Sequence, residues 1–270
     1  MIGGKAVKII GEKVVRQKIL SDITIFYGFK RLTRQTRWGK ISTIMKDFSK
    51  CALAVFGDSI MFGSGNNGFG VGEYLSEEFG FKLYKYCIGG ARVGYYEGKN
   101  WMIEQVRQAI EDKIQPDYIV FNGFTNDCCK TDGVNCDVPL GEIVNGFDGL
   151  DIFKVDKEDT TFSNCFENIL CAFKTYFHQA EAIFVRPHKM GRRGEEIQKI
   201  YGDRAAELCK KWKVSVADVY GKSGFDTFDP DQRDKYTADS YGWGRGDCTH
   251  PNSFGYEKFY LPIIKEELLK

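Results

Sequence analysis

At 270 residues, 43% apolar, 14% aromatic and 28% charged, the chain is long and apolar enough to bury its own core without disulfide or metal staples. Thirty-eight basic against thirty-seven acidic side chains give a net charge of +1, which argues against a dedicated nucleic-acid binder. The mixed composition excludes collagen-like, coiled-coil and disordered classes, and no run approaches the roughly 18 apolar residues of a membrane span.

The charge is unevenly placed. Residues 1–50 hold twelve Lys or Arg and three Asp or Glu, a net of +9, while residues 51–270 carry a net of −8. This divides the chain into a basic N-terminal extension, 1–50, and a main domain, 51–270. Lys30, Arg31, Arg34, Arg37 and Lys40 suit an anionic surface; the plainer alternative is an arm that packs on the acidic body of the chain or is loosely ordered. Lys8, Glu12, Lys13 and Arg16 interrupt every apolar stretch that a signal peptide would need, so the chain reads as cytoplasmic. Its nine cysteines are odd in number and irregular in spacing, with no C-x-x-C pair, and read as reduced, small apolar residues.

From Cys51 onward, short apolar runs alternate with amphipathic stretches. The runs at 51–56, 81–87, 118–122, 182–185 and 214–219 read as strands. The stretches at 71–79, 100–111, 162–178 and 195–211 read as helices, the second capped by Asn100. A long irregular insertion is expected at 128–160 and a loop at 220–250, followed by a helix from Ser253 that Pro262 interrupts. Strands alternating with helices predict a parallel sheet covered on both faces, with its site at the carboxyl ends of the strands.

Four short motifs fall at those ends: Gly57-Asp58-Ser59, Gly89-Gly90-Ala91-Arg92, Gly123-Phe124-Thr125-Asn126-Asp127 and Asp247-Cys248-Thr249-His250-Pro251. Read alone, the first is equally a turn whose Asp or Ser caps the next helix. A serine hydroxyl needs a neighbouring base to become a nucleophile. Of three histidines, His250 alone has a carboxylate, Asp247, three residues earlier in a turn leading to a helix, where it can hold the ring tautomer. A competing Gly63-Ser64-Gly65-Asn66-Asn67-Gly68 fits G-x-G-x-x-G but starts seven residues after Phe56, too late for a dinucleotide loop. It reads instead as a loop that admits substrate.

The ordered set resembles the SGNH hydrolases, the GDSL esterase/lipase family, across about residues 51–270. The resemblance implies a flavodoxin-like three-layer α/β/α sandwich around a five-stranded parallel sheet and an acyl-enzyme mechanism without metal or cofactor. It also implies Ser59 as nucleophile, His250 as base and Asp247 as its acid partner, with an oxyanion hole from the N–H groups of Ser59 and Gly90 and the amide of Asn126. Two departures stand out: Lys85 occupies the place of an Asn before the second motif's glycine, and Gly123 precedes Asn126 by three residues instead of two. The function implied is hydrolysis of small acyl esters, acetyl above all, on a saccharide or other small-molecule substrate. The alternatives are an acyltransferase, a longer-chain lipase or thioesterase using the same residues, and a non-catalytic module anchored by residues 1–50. Aromatic residues near the motifs (Tyr95, Tyr96, Trp101, Tyr236, Tyr241 and Trp243) suit sugar stacking. Asp58, Arg92, Trp243 and His188 are the expected substrate contacts.

Overall fold

The structure, a computed structural model, describes residues 46–130, 136–158 and 160–270. The proposed extension, up to residue 45, and parts of the 128–160 insertion therefore lie outside the described residues. Lys46–Lys270 form one compact unit.

The five apolar runs become β1 (Ala52–Phe56), β2 (Lys82–Lys85), β3 (Tyr118–Phe121), β4 (Glu181–Arg186) and β5 (Ser215–Asp218). They pair in parallel in the order β2-β1-β3-β4-β5, with Leu53 opposite Tyr118 and Ala52 opposite Lys82. All four residues of central β3 are buried, as are four of five in β1, whereas edge strand β2 is partly exposed. This is why the central runs are uniformly apolar and the β2 run carries lysines.

The helices are α1 (Ser59–Phe62), α2 (Val71–Phe79), α3 (Met102–Glu111), α4 (Phe162–Tyr176), α5 (Glu195–Lys211), α6 (Val219–Lys222), α7 (Pro230–Tyr236), α8 (Ser253–Gly255) and α9 (Leu261–Leu268). One face of the sheet is packed by α2 and α9, the other by α3, α4 and α5. The result is the expected three-layer sandwich. Phenylalanines dominate the second interface: Phe121 meets Phe166, Phe173 and Phe184 at ring separations of 5.9, 5.1 and 5.4 Å. Ahead of β1, Phe48 is buried against Phe79, Phe81 and Tyr118.

Three local expectations are corrected. Asn100 does not cap α3; Trp101 holds that position without a side-chain cap, and Asn100 Nδ2 donates to the Gly89 carbonyl instead. The 220–250 segment contains α7, started by the Asp229 side chain with Pro230 at the first helical position. The last helix is interrupted before Pro262, by a wide turn at Tyr256–Tyr260. Pro262 is the second residue of α9 and directly follows that wide turn, whose altered hydrogen bonding accommodates a residue without an N–H.

Strand order reverses between β1 and β3. The loops after these two strands and after β2 meet at that point, the usual crevice of an open parallel sheet.

Candidate active site

The turn from β1 to α1 is built around Gly57, whose φ of +135° only glycine adopts readily; a Cβ there would lie 2.0 Å from Asn122 Oδ1. Gln105 clamps this residue, accepting from its N–H and donating to its carbonyl, both at 2.9 Å. Asn122 Oδ1 accepts from the Asp58 N–H at 3.0 Å, and its Nδ2 donates to Asp58 Oδ1 at 2.9 Å. The same Oδ1 accepts from the Ile60 N–H and caps α1. Ser59 is thus the first residue of a helix held at both ends of its turn, with 7% of its surface exposed.

The opposing loop is shaped by Asp247, which is fully buried. Its Oδ1 accepts from the Thr249 and His250 N–H groups at 2.9 and 2.8 Å, folding the chain tightly at Cys248, where φ is +66°. Its Oδ2 faces His250 Nδ1 at 2.7 Å, and His250 Nε2 lies 2.9 Å from Ser59 Oγ. Burial alone would raise the Asp247 pKa, but hydrogen bonds from the ring and backbone of His250 outweigh it and hold the value at about 2. A carboxylate that stays ionised fixes the proton on Nδ1 and leaves Nε2 free to accept from the serine hydroxyl. The structure therefore brings together the three side chains singled out by the sequence, although 191 positions separate Ser59 from His250.

The other two motifs border Ser59. A Cβ built on Gly89 would lie 4.0 Å from Ser59 Cβ, and the adjacent Gly90 has a φ of +75°. Asn126 Nδ2 donates to the Ala91 carbonyl at 2.9 Å, which sets the orientation of the amide and leaves its second N–H available. Asp127, fully buried, accepts from the Val93 and Gly94 N–H groups and ties the loop after β3 to that after β2. Burial raises its pKa to about 6.

Residues 53–263 match the GDSL-like lipase/acylhydrolase family. The chain belongs to that family. It is accordingly a hydrolase of the ester-cleaving class. Among solved structures, a protein from Lactobacillus plantarum is 20% identical at a TM-score of 0.56, covering 81% of this chain and 94% of its own. A candidate GDSL-like lipase from Parabacteroides merdae is 18% identical at a TM-score of 0.56, covering 84% and 98%. A candidate GDSL-like lipase from Bacteroides uniformis is 18% identical at 0.51, covering 81% and 95%. These likenesses are of fold. No curated protein matches the sequence.

Several expectations for this GDSL-type chain need correction. Asp58 is wholly buried as the cap of α1 and offers no surface to a substrate. Arg92 is turned inward, its Nη2 paired with Asp137 at 2.7 Å and its guanidinium lying over Tyr96. His188 is fully buried behind the site, stacked on Phe225 and with Nδ1 2.7 Å from the Tyr260 hydroxyl; burial pushes its pKa down to about 3. Of the six aromatic residues named for sugar stacking, Trp101 and Tyr236 are core residues, Tyr95 and Tyr96 are half-buried, and Tyr241 and Trp243 are exposed, the Tyr241 ring lying 6.4 Å from that of His250. The glycine loop after α1 admits the histidine loop rather than a substrate: a Cβ on Gly65 would come within 2.5 Å of the Pro251 carbonyl and 2.9 Å of His250 Cβ.

Four residues support the site in roles that the sequence does not reveal. Gln105 is a buried polar residue on the inward face of α3, Asn122 directly follows β3, and Asn100 fixes the Gly89 loop. Lys85, noted as a departure, bridges the Phe62 and Gly68 carbonyls and Glu73 at 2.8, 2.6 and 2.6 Å, bracing the chain between α1 and α2. Among the described residues no group of three His, Cys, Asp or Glu is placed to hold a metal ion, and no helix is long and apolar enough to cross a membrane.

Proposed function

We propose that the chain is a serine esterase that removes a small acyl group, acetyl above all, from a carbohydrate or similarly polar alcohol. The observation that carries this reading is the 2.9 Å contact of His250 Nε2 with Ser59 Oγ. As the hydroxyl oxygen attacks the ester carbonyl, its proton passes to Nε2, and Asp247 stabilises the resulting imidazolium. The tetrahedral oxyanion is received by the N–H groups of Ser59 and Gly90 and the second N–H of Asn126, each such donor being worth roughly 2.7–4 kcal/mol of barrier. Collapse expels the alcohol with the proton from Nε2. Water then attacks the acyl-serine, giving its proton to His250, and the carboxylic acid departs as Ser59 Oγ recovers a proton.

Near-complete burial favours a short acyl group: Ser59 and His250 are only 7% and 9% exposed. The space on the Tyr241 side carries Lys130, Arg192 and Arg193 alongside Ile197 and Ile200, a mixed lining that suits a polar alcohol portion. Stacking of exposed Tyr241 on Trp243, ring centres 4.7 Å apart, suits a sugar ring. A cytoplasmic location accompanies this reading, since nine free thiols suit a reducing compartment.

The test is a series of p-nitrophenyl esters from acetate to octanoate. The largest kcat/KM is expected for acetate, and Ser59→Ala should lower it by ~10³-fold or more. Preference for octanoate would overturn the small-acyl assignment; activity retained by Ser59→Ala would overturn the nucleophile.

A further inference from the structure

A cleft of about 740 Å³ adjoins the site through Tyr241, with walls from the loops after β3 and β4 and the start of α5 (Glu196, Ile197, Ile200). Residues 128–130 follow Asn126 in the loop after β3, Arg192 and Arg193 follow β4, and Tyr241 also lines the cleft, its ring centre 6.4 Å from the imidazole. Arg193 is anchored, its Nε donating to the Thr125 carbonyl at 2.9 Å, one residue from Asn126. Arg192 is exposed but laid flat on aromatic rings, 4.3 Å from the centre of Tyr241 and 5.3 Å from that of Trp243. Such a stack holds a guanidinium without consuming its hydrogen bonds.

Elsewhere in the fold, inward-facing arginines are neutralised: Arg92 pairs with Asp137 and Arg186 with Asp203. Among the described residues, Arg192, Arg193 and Lys130 form no ion pair, and the cleft they line holds one carboxylate, Glu196. Among the described residues, an excess of two positive charges is thus collected in one concavity. Residues 46–270 as a whole carry 28 basic and 35 acidic side chains, a net of −7, so the surrounding charge has the opposite sign. Guanidinium groups grip carboxylate and phosphate oxygens in pairs, and a cleft with walls of low polarisability concentrates their field.

We infer that this cleft is an anion-binding subsite that selects esters carrying an oxyanion, carboxylate or phosphate, on the alcohol portion, with Arg192 and Arg193 as the specificity-determining residues. The inference rests on the small-acyl esterase reading, because a short acyl group leaves the wide cleft to the alcohol.

Calorimetric titration of the full-length Ser59→Ala chain with glucuronate, glucose 6-phosphate and glucose reads the subsite without turnover. At least one anionic sugar should bind roughly tenfold tighter than glucose, an advantage that shrinks between ~50 and ~500 mM salt. Comparing the two anionic sugars tells which oxyanion is preferred. Arg192→Gln, at an exposed position outside the core, should remove most of the advantage, and Arg193→Gln provides an independent second variant. Equal affinity for all three sugars, no binding of any, or an advantage that survives both substitutions overturns the inference. Turnover separates this from the esterase reading. With the unmodified chain, acetylated glucuronic acid should exceed acetylated glucose in kcat/KM by a similar factor. Equal hydrolysis of both removes the subsite and leaves the esterase; anion-selective binding with hydrolysis of neither removes the esterase and leaves the subsite.

Discussion

Asp247 divides its two oxygens between two tasks. Oδ1 accepts from two backbone N–H groups and sets the shape of the loop, while Oδ2 accepts from the ring it orients. Asp247→Asn keeps the size of the side chain but turns one oxygen into a donor, which favours the tautomer with its proton on Nε2. The expected outcome is a loss of ~10³-fold or more in kcat on p-nitrophenyl acetate. An effect under tenfold would mean that the carboxylate does not set the tautomer. The same residue makes an acid-stability prediction. Its folded pKa, about 2, lies below the model-peptide value of 3.8, so its contribution is present above pH 4 and lost as pH falls through about 2. Integrated over that window, it amounts to roughly 2 kcal/mol. Denaturant titrations from pH 4 to 2 should show a steeper fall for the unmodified chain than for Asp247→Asn; parallel curves would contradict it.

Among elements, the two loops that meet at Ser59 depend on residues that permit or enforce close approach. Gly65 gives way to the backbone of the histidine loop, so Gly65→Ala must displace His250 by several tenths of an ångström or more. The expectation is a drop in kcat of at least tenfold with a stability loss of only about 1–3 kcal/mol, read by activity and thermal melting together. Unchanged kcat would show that the loop adapts. Asp58→Ala removes the cap of α1 and leaves Asn122 Nδ2 without its acceptor, for an expected cost of about 1–3 kcal/mol in urea unfolding. The strands were legible because central positions such as Leu53–Phe56 and Tyr118–Phe121 are apolar throughout. Helix α7 was not, since within Pro230–Tyr236 only Tyr236 is buried and no apolar period exists to be read. The burial of Arg92 and His188 is hidden from the sequence for a related reason. A sequence shows that a polar residue follows a strand; it does not show that Asp137 or Tyr260 waits to pair with it inside.

For the molecule as a whole, a parallel sheet with one reversal of strand order brings the ends of β1, β2 and β3 to one rim, while the chain after β5 returns with Asp247 and His250 to the same place. Topology thus turns four motifs scattered over some 190 positions into neighbours, which is why their order along the chain was informative. The local supports were invisible because each acts on a partner in another element or loop, 48 and 64 positions away for Gln105 and Asn122 and 11 to 23 for Asn100 and Lys85. The same architecture leaves the cationic cleft as the broad opening beside a nearly closed reaction centre, so acyl choice and alcohol choice fall to different parts of one rim.

The most direct measurement is covalent labelling of the full chain with a fluorophosphonate, followed by intact mass and peptide mapping. A single adduct is expected, on Ser59, absent from Ser59→Ala and greatly slowed in His250→Ala. An adduct on any other residue, or labelling of Ser59→Ala at the unmodified rate, would contradict the account.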